Sequence, residues 1–397
     1  MLNFSLSEFI YGFVNPSEYT YGKQSIHVEM LANDSDIQNS FPSPDSDASP
    51  LSFDLFSSIT IHGVTDSVDG HPVPFTMKRD ISFPHQLMHR IQTSEKVWEH
   101  SMQARPVPVD GLHLTLELGD LIGYGASAHV YAVRIISIDS KRDGKGSSFY
   151  TGFQLPELCV KLAEPNRMRS VAREAWFYEQ LHVEALEGVI SPRFYGFYTS
   201  SCDHARVIPW RTKGWKFREY PHLFEHKDGF MLKDHIVNEP RKGSGGSRWF
   251  DDEFGSHQNS KWIDYRQRCD SPLLSILLLE RLGETLQRYC KIQERSFNQD
   301  VKDVLEDAVW KGFFHDDVRY NQFALAPNPI PCPRHGRRHE VYLLDFEMVH
   351  RIPAITGDRR IAHWEQAHRK WLHADLEESD PLDEGEVHMS GVDLSGR

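Results

Sequence analysis

Gly312-Phe313-Phe314-His315-Asp316-Asp317-Val318-Arg319-Tyr320-Asn321-Gln322-Phe323 is the stretch on which the reading of this chain turns, together with Leu343-Leu344-Asp345-Phe346-Glu347 further on. An apolar strand delivers a histidine and an acidic pair to its end. Amides follow at Asn321 and Gln322, and a second apolar strand delivers Asp345. Carboxylates and amide carbonyls gathered this way can hold a base beside a hard divalent cation, because such cations take oxygen ligands.

Upstream, Leu112 to Leu118 alternates like a half-buried strand, Val130 to Ile138 reads as a second and Leu158 to Leu162 as a third. Ser170 to Leu181 carries Val171, Ala175, Phe177, Tyr178 and Leu181 at helical spacing. Between the first two strands lies Gly123-Tyr124-Gly125-Ala126-Ser127-Ala128-His129-Val130. Glycine there lets backbone N–H groups approach a phosphate that a Cβ would keep away. Lys161 ends the apolar triplet Leu158-Cys159-Val160, and Glu174 flanks the buried face of the helix. An ion pair between them would orient the ammonium toward the α- and β-phosphates of a nucleotide. Taken singly these signals are bland: glycines between strands are usually turns, and a strand-end Lys is usually solvated. Downstream, Leu273 to Leu279 is a continuous apolar run expected as a buried strand, and Val301 to Val309 has helical spacing that feeds into His315.

In this order, the glycine loop, strand Lys, helix Glu, apolar strand ending in Glu280, His-x-Asp and Asp-Phe resemble the protein kinase superfamily. Arg173-Glu174-Ala175, Leu279-Glu280-Arg281-Leu282-Gly283, His315-Asp316-Asp317-Val318-Arg319 and Asp345-Phe346-Glu347 are similar to divergent fungal kinase-like proteins, over roughly residues 112–350. The resemblance implies an α+β, two-lobed protein-kinase-like fold with an antiparallel-sheet small lobe and a reduced helical large lobe. It implies ATP and Mg²⁺ as cofactors. Gly123 and Gly125 would cover the phosphates, and Lys161, paired with Glu174, would contact them. Val130, Leu279 and Glu280 would surround the base. Asp317 would act on the acceptor hydroxyl, Arg319 would lie near the transferred group, and Asp345 would hold the metal.

The register stays open at two points. Counting from His315 makes Asp317 the base and Gln322 the second metal ligand; counting back from Asn321 makes Asp316 the base. Asp317 is favoured because His315, Val318, Arg319 and Phe323 then fit together. Three departures matter: Ala128 replaces the third glycine, Glu347 replaces a glycine after Asp-Phe, and no A-P-E-like triplet occurs in the short remainder 348–397. The expected activity is an ATP- and Mg²⁺-dependent phosphotransferase acting on a protein or small-molecule hydroxyl. The alternatives are a pseudokinase that binds nucleotide or scaffolds without transfer, and a small-molecule kinase of the aminoglycoside-phosphotransferase type.

The chain's 397 residues suffice for a two-lobed domain with extensions. The expected organisation is an N-terminal extension over 1–110, a kinase-like domain over 111–372 interrupted by an insertion at 199–270, and an acidic tail over 373–397. Leu55 to Val64 suggests a strand or two within the extension, and Lys96 to Met102 a short helix. Ile361 to Leu376 reads as a core-packing helix, and His363, His368 and His373 on it lack a metal-site spacing. The arginines and histidines of 326–340 read as a solvated loop or a surface for an acidic partner. A net charge of −13 argues against a nucleic-acid partner. The five cysteines lie far apart without a C-x-x-C pair, so neither a disulfide framework nor a zinc knuckle is expected. No basic leader and no long apolar run stand out, so a membrane partner is not expected and an intracellular location, cytoplasmic or nuclear, is.

Overall fold

A computed structural model describes residues 55–67, 71–85, 103–125, 127–139, 155–164, 167–201, 207–209, 259–268, 271–286, 295–315 and 318–351. The expected helices at 96–102 and 361–376, the acidic tail, most of the 199–270 insertion and the acidic pair at 316–317 lie outside these residues.

Strands β1 (Phe56–Ser67) and β2 (Pro72–Arg79) form an antiparallel hairpin. Strands β3 (Leu112–Tyr124), β4 (Ala128–Asp139) and β5 (Leu158–Ala163) follow, then helix α1 (Met168–Val183). Next come β6 (Phe194–Ser201), the short β7 (Val207–Pro209) and β8 (Leu273–Glu280). Helix α2 (Arg295–Trp310) precedes four three-residue strands: β9 (Phe313–His315), β10 (Phe323–Leu325), β11 (Val341–Leu343) and β12 (Val349–Arg351).

The long strands run β2-β6-β8-β5-β4-β3-β1, and β1 pairs back onto β2, so the sheet closes on itself as a seven-stranded barrel. Neighbours are antiparallel except β1 and β3, which pair in parallel with Ile59 opposite Leu114 and Ile61 opposite Leu116. β7 adds to the end of β1. Closure removes the unpaired edges that an open sheet would expose.

The two-residue period of a strand separates two cores. On β5, Leu158, Val160 and Leu162 point into the barrel with Ile59, Ile61, Met77, Leu114, Leu116, Ile276 and Leu278. Cys159 and Ala163 face outward and pack with α1, and so do Leu277 and Leu279 of β8. Both faces of β8 are therefore buried, which explains its unbroken apolar run. Lys161 falls on the outward set.

Helix α1 is buried almost all round, and its charged residues find partners accordingly. Arg169 donates to the carbonyls of Trp262 at 2.6 Å and Ile263 at 2.9 Å. Arg173 lies 4.1 Å above the Phe83 ring and donates to the Phe83 carbonyl. Glu179 accepts from the Ser82 hydroxyl and the Arg105 amide. Segments before β3 and before β8 thus wrap the helix. Beyond it, β9 pairs with β12 and β10 with β11, and Phe313, Phe323, Leu343, Phe346 and Val349 join the α1 core.

This architecture overturns the expected α+β two-lobed fold. The described residues form a closed, mostly β barrel with two helices, and no helical large lobe is present among them. The difference arises at 56–79. Read locally, that stretch is a strand or two in an extension; in the fold it supplies two barrel staves. The β1–β3 contact joins residues far apart in sequence and leaves no trace in local periodicity. Among the described residues no helix is long and apolar enough to cross a membrane.

Ile59 is fully buried inside the barrel. Ile59→Ala is expected to cost about 2–5 kcal/mol in urea denaturation, as an intact core position would. A loss below about 0.5 kcal/mol, the size of a surface change, would show that β1 is not part of the cooperative barrel.

Candidate functional site

Lys161 lies on a central stave, opposite Val130 of β4 and Leu277 of β8. Its outward side chain meets α1, where Glu174 projects from the buried face. The ammonium donates to Glu174 Oε2 at 2.7 Å and to Asp345 Oδ1 at 2.9 Å. The Lys161 side chain is 11% exposed and that of Glu174 1%, whereas that of Asp345 is 40% exposed. One ammonium therefore ties a stave, a helix and a distant turn together, and one of its two carboxylates also reaches solvent.

The turn holding Asp345 is fixed from several sides. The Leu343 amide donates to the Ile190 carbonyl, and the Leu344 amide to that of Gln322. His315 Nε2 lies 3.1 Å from the Leu344 carbonyl oxygen, a hydrogen bond in the tautomer that protonates Nε2. Phe346 is fully buried against Tyr178, with ring centroids 5.1 Å apart. Between these anchors Asp345 adopts φ 61°, in the left-handed region that Asp tolerates better than most residues. His315 thus supports the Asp345 turn through the backbone.

Glu347, the residue in place of a glycine after Asp-Phe, accepts a hydrogen bond at Oε2 from the Ser127 hydroxyl. That contact pins the loop between β3 and β4 to the Asp345 turn. No sequence signal marked Ser127 or Tyr178 as part of the site. The Gly125 amide donates to Ala128, and the Glu164 amide to Ser127, so the loop closes tightly. Neither Gly123 nor Gly125 needs to be glycine for folding. Neither has a left-handed φ, and a Cβ at Gly123 would meet only Val130 side-chain atoms at 3.7 Å or more.

The remaining expected residues are placed less uniformly. Val130 and Leu279 lie on the same outer barrel face as Lys161. The Glu280 side chain is buried and paired with Arg193 at 2.8 Å, while its amide donates to the Arg193 carbonyl. Gln322 is buried, and its Oε1 accepts from the Arg319 amide at 3.2 Å; Asn321 and the Arg319 side chain are exposed. Asp317 and Asp316 lie outside the described residues.

Electrostatics follow from two acids around one ammonium. Burial lowers the Lys161 pKa, but the charges of Asp345 and Glu174 outweigh it and raise it above the usual lysine range. Burial raises Asp345, and the charge and hydrogen bond of Lys161 outweigh this to hold it below the usual carboxylate range. Glu174 is pushed up to about 7, chiefly by burial and against the pull of Lys161. Its Oε1 has no donor in good geometry. The Tyr178 hydroxyl feels the charge of Glu174, which adds to burial in raising the phenol, but does not satisfy that oxygen. The acid open to solvent, Asp345, is thus the one held ionised, and the buried acid, Glu174, is the one pushed towards its neutral form.

No family model matches this chain, and no curated protein does. Among solved structures, the chain is aligned with one described as WaaP in complex with acyl carrier protein. The alignment has 12% identity over 65% of this chain and 72% of that one, with a TM-score of 0.28, too slight a likeness to inform fold or function.

Folded Glu174 holds its proton more tightly than an unfolded glutamate of pKa 4.5. Its contribution to stability is therefore full below pH 4.5 and is lost as pH rises through about 7. Glu174→Gln is expected to flatten the dependence of melting temperature on pH across this window. Parallel wild-type and variant profiles would contradict the assignment.

Proposed function

We propose that this chain binds ATP with Mg²⁺ and transfers the terminal phosphoryl group to a hydroxyl of a protein or small molecule. The observation that carries the reading is the Lys161 ammonium held at once by Glu174 and Asp345. A cation for the nucleotide phosphates must be fixed in direction, and the buried Glu174 does that. The residues also suit a divalent ion: Asp345, held in its charged form by Lys161, has a carboxylate that reaches solvent, and Glu347 follows it on the same turn.

In this reading Asp345 holds the metal, with Asn321 or Gln322 as the second oxygen donor. Asn321 is preferred, because Gln322 Oε1 already accepts from the Arg319 amide. Bound Mg²⁺ would neutralise charge on the phosphates. Gly123 and Gly125 admit the phosphates to the loop backbone, in keeping with glycines that folding does not require. Val130 and Leu279 offer an apolar surface for the base, with Glu280 beside them. Asp317 accepts the proton of the acceptor hydroxyl, and Arg319 steadies the transferred group.

A second reading, a nucleotide-binding module without transfer, is favoured by the engaged Gln322 carbonyl and by the Ser127–Glu347 bond across the loop. Mg²⁺-ATP is expected to raise the melting temperature, and Asp345→Asn or Lys161→Met to abolish most of the shift; a ligand at 100 Kd adds about 2.7 kcal/mol. Absence of any shift at millimolar Mg²⁺-ATP would reject both readings. Labelled phosphate transfer to itself or to a mixed extract then separates them. Transfer is expected to fall about 10²–10⁴-fold in Asp317→Asn. A nucleotide-dependent shift without transfer would leave the binding module.

A further inference from the structure

The segment joining β10 to β11 folds back onto α2 at a second cluster of reactive side chains. Its basic residues meet the acidic face of that helix. Arg337 pairs with Asp300 and Asp303, and Arg334 Nη1 lies 3.4 Å from Asp307 Oδ1. That leaves Asp307 Oδ2 facing three other groups. It is 3.0 Å from Cys332 Sγ, 3.3 Å from His335 Nδ1 and 3.0 Å from His339 Nε2. Cys332 Sγ is in turn 3.5 Å from His335 Nδ1. All four candidate ligand atoms lie within 4.8 Å of one another.

We propose that Asp307, Cys332, His335 and His339 form a closed, tetrahedral zinc site that clasps the β10–β11 segment to α2. Zinc binds sulfur at about 2.3 Å and nitrogen or oxygen at about 2.0–2.2 Å, which separates tetrahedral ligand atoms by about 3.3–3.6 Å. The four stated spacings, 3.0, 3.0, 3.3 and 3.5 Å, lie at or below this range and the other two lie within 4.8 Å, so the atoms need only small outward adjustments to take up the ion. One thiolate, one carboxylate and two neutral imidazoles balance the dication, so the site can be buried without net charge.

A tight turn brings the cysteine and His335 together: the Gly336 amide donates to the Cys332 carbonyl, and Gly336 turns the chain at φ 64°. His339 is fully buried and turns Nε2 toward Asp307 Oδ2, inside the cluster. The absence of a C-x-x-C pair hid the site. Its ligands are a Cys-x-x-His pair, a histidine four residues on and an aspartate from a preceding helix. The clasp joins the helix that leads to His315 and the strand that leads to Asp345, but it does not depend on the nucleotide reading.

The test uses the full chain, purified with a phosphine reductant and without added chelator. About one zinc per chain is expected by elemental analysis. Replacement by Co²⁺ should give the strong visible bands of four-coordinate cobalt and a thiolate-to-metal charge-transfer band. Cys332→Ser should lose the charge-transfer band, and His339→Gln should weaken binding at least about tenfold. Chelator should lower the wild-type melting temperature, and zinc should restore it. Substoichiometric zinc after reconstitution, or a six-coordinate cobalt spectrum without charge transfer, would overturn the proposal using wild-type protein alone. ATP binding that persists in the metal-free chain would leave the nucleotide reading standing.

Discussion

The Lys161 ammonium is the point on which the arrangement of this molecule depends. It joins three pieces that share no local contact in sequence: a barrel stave, the helix laid against it and the turn at Asp345. Burying charge is costly unless geometry and partners are good, and removing one partner of a fully buried pair costs about 3–5 kcal/mol. The Glu174 arm is of that kind. The Asp345 arm, partly open to solvent, is worth less to stability and is the one able to exchange protein contacts for a ligand.

The barrel decides where this charge can go. Its interior is filled by inward, mostly apolar side chains of the long strands, among which the Tyr198 hydroxyl bonds to the Phe56 and Tyr195 carbonyls. Lys161, Glu174 and Asp345 meet instead on the outer face, under α1 and the small ribbons after it. Strand alternation puts Lys161 on that face by a single register step; a slip by one residue would bury the ammonium among Leu114, Ile276 and their neighbours. The Ser127–Glu347 bond then draws the β3–β4 loop over the same place. Glu347, a departure from the kinase pattern, thus links the loop to the Asp345 turn.

What the sequence made legible was local. The strand read at Leu158 to Leu162 and the helical spacing of Ser170 to Leu181 match β5 and α1, and with them come Lys161 and Glu174. The unbroken apolar run of β8 was also readable, because both faces of that strand are buried. Closure was not. The parallel pairing of β1 with β3 is a tertiary choice between two ordinary amphipathic strands, and it turned an expected lobe into a barrel. The same limit hid the partner of the basic segment at 334–339, since an arginine cannot announce that its acids sit one element earlier on α2.

The account rests on energetic coupling through Lys161, and double-mutant cycles measure it directly. Lys161→Met would be crossed with Glu174→Gln and, separately, with Asp345→Asn, each scored by chemical denaturation. A coupling of about 1–3 kcal/mol with Glu174 and a smaller, measurable one with Asp345 is predicted. Additivity of both pairs to within about 0.3–0.5 kcal/mol would contradict it.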